Sequence, residues 1–163
     1  MEKNEPLVIA ASYFWSDTLN AFLFGYGPMT PTLADVLMLT DLDISSPDTP
    51  FNYLVKLTHQ LETKGIGGWK GYINKNMRTG TILEREYTTF LMMWLEKHLF
   101  YGKSAGPTSN TQALAEAPVK GAVVPLGKHL LGLVYYMLHQ VTMKLSSGEP
   151  IGNLGGPWWF ISL

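Results

Sequence analysis

Apolar residues recur at helical spacing in several stretches of the chain, and Gly- or Pro-rich breaks separate them. Leu7, Ala10, Ala11 and Phe14 follow Pro6 and predict a helix through about Trp15, since proline at a first helical position gives up no needed donor. Residues 21 to 28, Ala-Phe-Leu-Phe-Gly-Tyr-Gly-Pro, read as a short extended piece ending in a turn. Thr30-Pro31-Thr32 starts the next helix. Threonine hydroxyls cap its free amides, and Asp35 lies in the first turn, where the helix dipole favours a carboxylate. Leu33, Val36, Leu37 and Thr40 mark its apolar face, and the polar, proline-containing run from Asp41 to Pro50 ends it near residue 40.

A short amphipathic helix is expected over Phe51 to Leu61, with Leu54, Leu57, Thr58 and Leu61 on one side. Lys64 to Gly80 holds five glycines in 17 residues without helical periodicity and reads as a long loop. Thr81-Ile82-Leu83-Glu84 matches a capping box, and Leu83, Tyr87, Phe90, Leu91, Trp94, Leu95 and His98 then keep the spacing of a buried stripe. Residues 102 to 124, rich in Gly, Pro, Ser, Thr and Ala, read as a linker. Pro125 opens a helix to about Leu145, apolar nearly all round and therefore expected inside a bundle, and Ser146-Ser147-Gly148 stops it. Pro157 is expected at the first position of a terminal helix that begins six residues before the end, which suggests a fragment truncated at its C-terminus. Trp158 and Trp159 are then expected to be exposed, as the cut edge of a core or as a dimer contact.

These elements predict a mainly α, compact multi-helix domain of five or six helices with a small extended or β element near residues 21–27. The boundaries are a tail at 1–6 and one domain at 7–163. Composition agrees: 163 residues, 46% hydrophobic and 15% charged, describe a folded chain. The longest uncharged run, between Lys128 and Lys144, includes His129, His139 and Gln140 and falls short of the about 20 apolar residues a bilayer crossing needs. No membrane contact is expected.

Candidate chemistry is sparse. Without cysteine there is no thiol nucleophile, thiolate metal site or disulfide. Gly102-Lys103-Ser104 ends like a phosphate-binding loop, but Lys97 stands where its first glycine belongs. The run Gly65 to Gly71 carries Lys70 at the last glycine of a dinucleotide fingerprint. Asp41-Leu42-Asp43 opens like a calcium loop and continues with Ser46 and Asn52 where glycine and glutamate are required. His59, His98, His129 and His139 form no metal-binding pair, no Gly-x-Ser-x-Gly elbow occurs, and Glu84 and Glu86 diverge on their helix. The reading is therefore no catalytic residue, no metal, no cofactor and no enzyme.

One local feature stands out. Four of the 12 basic residues, Lys64, Lys70, Lys75 and Arg78, fall in one acid-free stretch with Trp69 and Tyr72, leaving 8 basic against 13 acidic residues elsewhere. Cations interleaved with aromatics in a loop suit single-stranded nucleic acid or an acidic peptide. In the competing reading Trp69 and Tyr72 pin the loop to the core and the charges keep it soluble.

The segment Phe22 to Leu39, FLFGYGPMTPTLADVLML, resembles the plant mobile domain family, also labelled aminotransferase-like and related to transposable elements. Gly27, Met29, Thr30, Thr32, Leu33, Asp35 and Val36 match its Gly-x-Met-Thr-x-Thr-Leu-x-Asp-Val pattern. The likeness continues in the helix ending Leu99-Phe100, in Leu130 to Leu145 and in Gly155-Gly156-Pro157-Trp158, so it spans roughly residues 8–163. It implies a nuclear plant protein linked to transposon silencing and genome maintenance through protein partners, among them a phosphatase-like protein. No lysine suggests itself for pyridoxal chemistry. The resulting expectation is a noncatalytic nuclear interaction module, with direct DNA or RNA binding through residues 64–78 as the alternative.

Overall fold

The computed structural model describes residues 5–47, 57–77, 80–102, 106–152 and 155–162. Among them seven α-helices and one three-stranded antiparallel sheet make the protein mainly α with a small β element. The helices are α1 (Glu5–Tyr13), α2 (Leu33–Thr40), α3 (Gly68–Asn76), α4 (Glu84–Trp94), α5 (Gln112–Val119), α6 (Leu126–Ser147) and α7 (Trp158–Ile161). The strands are β1 (Trp15–Ser16), β2 (Ala21–Phe24) and β3 (Gly27–Met29). The chain divides into two units, residues 1–44 with 127–163, and residues 45–126.

In the first unit, Glu5 and Pro6 open α1 and so do not belong to a tail. The helix stops short of Trp15 because that residue joins a strand instead. The strands pair in the order β1-β2-β3, with Trp15 opposite Phe22 and Phe22 opposite Met29. Trp15 and Phe22 are buried and meet edge to face with ring centroids 5.0 Å apart. α2 begins at its expected place, buries Val36 completely, and ends at Asp41, whose left-handed backbone (φ 55) closes the last turn.

The expectation of an all-round apolar α6 is corrected. Gly127, Leu130, Val134, Met137, Leu138 and Val141 make one buried face, while Tyr136, His139 and Met143 are exposed. Gly127 permits a close approach: a Cβ there would lie 2.7 Å from Ile44 Cγ2 and 2.9 Å from the Asp43 carbonyl oxygen. Pro157 caps α7 from outside the helix, Trp158 and Phe160 are buried and Trp159 is half-buried, so the expected exposed tryptophan edge is absent.

The second unit departs further from the sequence pattern. Of the helix expected over Phe51 to Leu61, residues 51–56 lie outside the described residues and 57–61 are irregular. The long loop expected from Lys64 to Gly80 contains α3, and the linker expected at 102–124 contains α5, which packs on α4. Leu114, Ala115 and Ala117 of α5 are buried: small side chains allow close packing and leave little apolar periodicity to read.

α4 starts at Glu84, beyond the box expected at Thr81–Glu84. Glu86 accepts a hydrogen bond from the Leu83 amide at 3.1 Å, and leucine has no oxygen to complete the reciprocal half. The expected stripe is rotated away from the core. Thr88, Thr89 and Met92 are buried instead, followed by Leu95, Glu96 and Leu99 in a π-helical turn spanning Leu95–Leu99. Threonine can occupy that face because its hydroxyl returns to the helix: Thr89 Oγ1 donates to the Arg85 carbonyl at 2.8 Å.

Candidate functional site

The basic aromatic stretch is built around a helix that no side chain caps. Gly65, Gly67 and Gly68 adopt φ values of 70, 77 and 68, backbone that glycine enters without a steric penalty, and Gly67 stands at the N-cap. In the first turns of α3 a Cβ at Gly71 would collide with the Ile66 carbonyl oxygen. The glycines that made the stretch look like a loop therefore shape the entry to a helix.

The helix separates the six proposed binding residues. Tyr72 is 0% exposed, its hydroxyl reaches Met92 Sδ at 3.8 Å, and burial pushes its phenol up to about 12. It is a core residue and is corrected as a stacking platform for a base. Trp69 is half-buried and packs edge-on to Tyr72, centroids 5.7 Å apart at 85°. Asn76, also buried, donates to the Tyr72 carbonyl at 3.0 Å and accepts from Arg85 at 3.0 Å. Lys75 forms an ion pair with Glu62, and its hydrogen bond and charge, aided by Arg85, lower that carboxyl from its ordinary range. Glu62 lies just upstream of the acid-free window, which is why the charge pattern missed it. Lys64 and Lys70 are exposed, and Arg78 lies outside the described residues. Two cations beside the edge of Trp69 are what remains of the site among the described residues.

Two buried carboxylates of the second unit escaped notice because neither lies in a motif. Glu96 accepts from the Thr108 amide at 2.8 Å, the Thr108 hydroxyl at 2.5 Å and the Thr111 hydroxyl at 3.0 Å. Glu116 accepts from the amides of Thr58 and His59 at 2.7 and 3.1 Å, from Gln112 at 2.9 Å and from Lys120 at 3.3 Å. Burial pushes the Glu116 carboxyl up, yet these donors outweigh it and hold the group at about 2. Both carboxylates thus serve to pin irregular chain to helices. Among the described residues no three histidine, aspartate or glutamate side chains gather to hold a metal, and no helix is long and apolar enough to cross a membrane.

In the first unit the Met29–Asp35 motif divides its work. Thr32 and Asp35 form a complete capping box: the carboxylate accepts from the Thr32 amide and hydroxyl at 2.7 Å each, and the Asp35 amide donates to Thr32 Oγ1 at 3.3 Å. The Thr32 hydroxyl and amide lower the Asp35 carboxyl. Thr30, expected to share in capping, binds elsewhere. Its hydroxyl donates to the Asn20 carbonyl at 2.6 Å and lies 2.9 Å from the Tyr135 hydroxyl, which donates to the Pro31 carbonyl at 2.6 Å. Two hydroxyl protons serve three contacts, so only two of them carry a hydrogen at once. Leu33 is half-buried and Met29 exposed, and with Phe14, Leu23, Phe24 and the fully exposed Tyr26 of the turn it gives the sheet an apolar surface. The aromatic run at 22–26 signalled this surface, though its reading stopped at an extended piece.

No family model, no curated protein and no solved structure matches the chain.

Proposed function

We propose that the chain is a noncatalytic interaction module that acts in the nucleus through protein partners, in the manner of plant mobile domains linked to transposon silencing and genome maintenance. The observation that carries this reading is the apolar surface of the hairpin. Phe24, Tyr26 and Met29 are exposed on strands and a turn joined by backbone hydrogen bonds, and the motif beside them is bound through Thr30 and Tyr135. Exposed aromatic and methionine side chains on a fixed scaffold suit protein contact, because ordering them on binding loses little entropy. The noncatalytic part of the reading is supported by Glu96 and Glu116, whose oxygens are engaged by neighbouring donors.

Proximity labelling in plant nuclei tests the reading, comparing wild type with a Phe24→Ser and Tyr26→Ser double variant checked for unchanged thermal unfolding. The expected result is a defined set of nuclear proteins, a phosphatase-like protein among them, that the variant loses. Equal labelling by both would remove the hairpin as the contact. Direct nucleic-acid binding rests on the exposed Lys64 and Lys70 beside Trp69. Reversing both charges and titrating DNA and RNA across salt concentrations decides that alternative: unchanged affinity excludes it.

A further inference from the structure

Leu83, Tyr87, Phe90 and Trp94 follow one another along α4 at steps of four, three and four, the spacing of a seam between helices. This face is not the one the fold buries. Ile82 is 76% exposed, Leu83 58%, and Tyr87 and Phe90 46% each, with Trp94 half-buried beside them. Single apolar side chains on a surface are ordinary, but a contiguous run at seam spacing marks an interaction face.

Charge along the same helix points to the occupant. Glu84 is exposed in the first turn, and Lys97 and His98 are exposed in the π-helical turn that continues the helix. A helix acidic at its start and basic at its end is complementary to a reversed copy of itself, whereas a parallel copy would set like charges together. Glu84 and Lys97 lie equally far from a midpoint between Phe90 and Leu91, so one two-fold axis there opposes Glu84 to Lys97 twice. The same axis brings Tyr87 of each copy to Trp94 of the other.

We propose that this face is a homodimer contact in which a second copy of the chain docks antiparallel along α4. All its residues belong to the second unit, so it stands apart from the hairpin reading. The exposed side chains offer roughly a few hundred Å2 per copy, below the about 800 Å2 per partner of a standard stable interface. The dimer is accordingly weak and concentration-dependent, with a Kd on the order of micromolar or above.

Sedimentation velocity of the full chain from about 1 to 200 µM brackets that range and tests the proposal. Wild type is expected to shift reversibly from monomer to dimer. Phe90→Glu, at a half-exposed position, is expected to raise Kd at least about 10-fold with an unchanged melting curve; should that variant fail to fold, Tyr87→Ser gives the same reading. Glu84→Lys or Lys97→Glu alone is expected to weaken the dimer about 2- to 5-fold, and combining them in one chain to restore it. A wild type that stays monomeric throughout, or a Phe90→Glu variant that dimerises like wild type, would overturn the proposal. A double charge reversal no tighter than the single ones would overturn the antiparallel arrangement.

Discussion

α2 begins at Thr32 and Asp35, two residues that exchange hydrogen bonds in both directions, whereas α3 begins at Gly67 in left-handed backbone with no capping side chain. The instructions for α2 are complete within four residues of sequence. Those for α3 come from elsewhere in its unit: Tyr72 against Met92, and Asn76 held by Arg85. A short helix is marginal by itself in water, so one that lacks a cap depends on what it buries. The difference teaches that local hydrogen-bond codes can be read along the chain, while helices made by packing cannot.

Several measurements sharpen or break this contrast. The largest effect is expected from Tyr72→Ala, which should destabilise the protein by about 3–5 kcal/mol in urea unfolding, since it empties a fully buried aromatic site. A loss near zero would mean that α3 is coded locally after all. Glu116 follows. Its folded carboxyl, at about 2, lies below the ordinary 4.5, so its contribution is complete above about pH 4.5 and is lost as pH falls toward 2. The full shift corresponds to about 3 kcal/mol, and Glu116→Gln should remove most of the acid dependence of the melting temperature over that window.

Gly71→Ala should cost about 2 kcal/mol. In an ordinary helix interior the same change stabilises by about 1 kcal/mol, so the sign alone tests the collision with Ile66. Thr32→Ala should cost about 1 kcal/mol through loss of its cap, and Thr30→Ala should act on the Tyr135 contact instead. A double-mutant cycle with Tyr135→Phe separates the two roles, because only Thr30 should couple to Tyr135. The smallest effect is expected for Lys75→Ala, within about 0.5 kcal/mol, because the pair with Glu62 is exposed and screened.

The same contrast explains what could be read beforehand. The mainly α class, the extended piece at 21–27, the start of α2 at Thr32 and its end at residue 40 all rest on signals a few residues long. The buried face of α4 does not. Leu83, Tyr87 and Phe90 carry the larger apolar periodicity, yet Thr88, Thr89 and Met92 go inside, because the threonine methyls pack while Thr89 satisfies its hydroxyl within the helix. α5 stayed hidden for a related reason, since alanines and Pro118 give no stripe. Of the basic aromatic cluster, chemical type was legible and accessibility was not. Tyr72 looks the same in sequence whether it stacks on a base or fills a core, and Glu62 sat just outside the window that made the charge look unopposed.

The five-residue turn from Leu95 to Leu99 means that this part of the chain holds one residue more than a regular helix would use. Deleting any one of them would let the spiral run on undisturbed and swing everything after it by about 100°. Leu99 and Phe100 would then leave their seats in the interior, and the Thr108 and Thr111 hydroxyls would lose the acceptor they meet at Glu96. The surplus residue works as a phase correction, so the unit is more vulnerable here to a change in chain length than to a change of side chain.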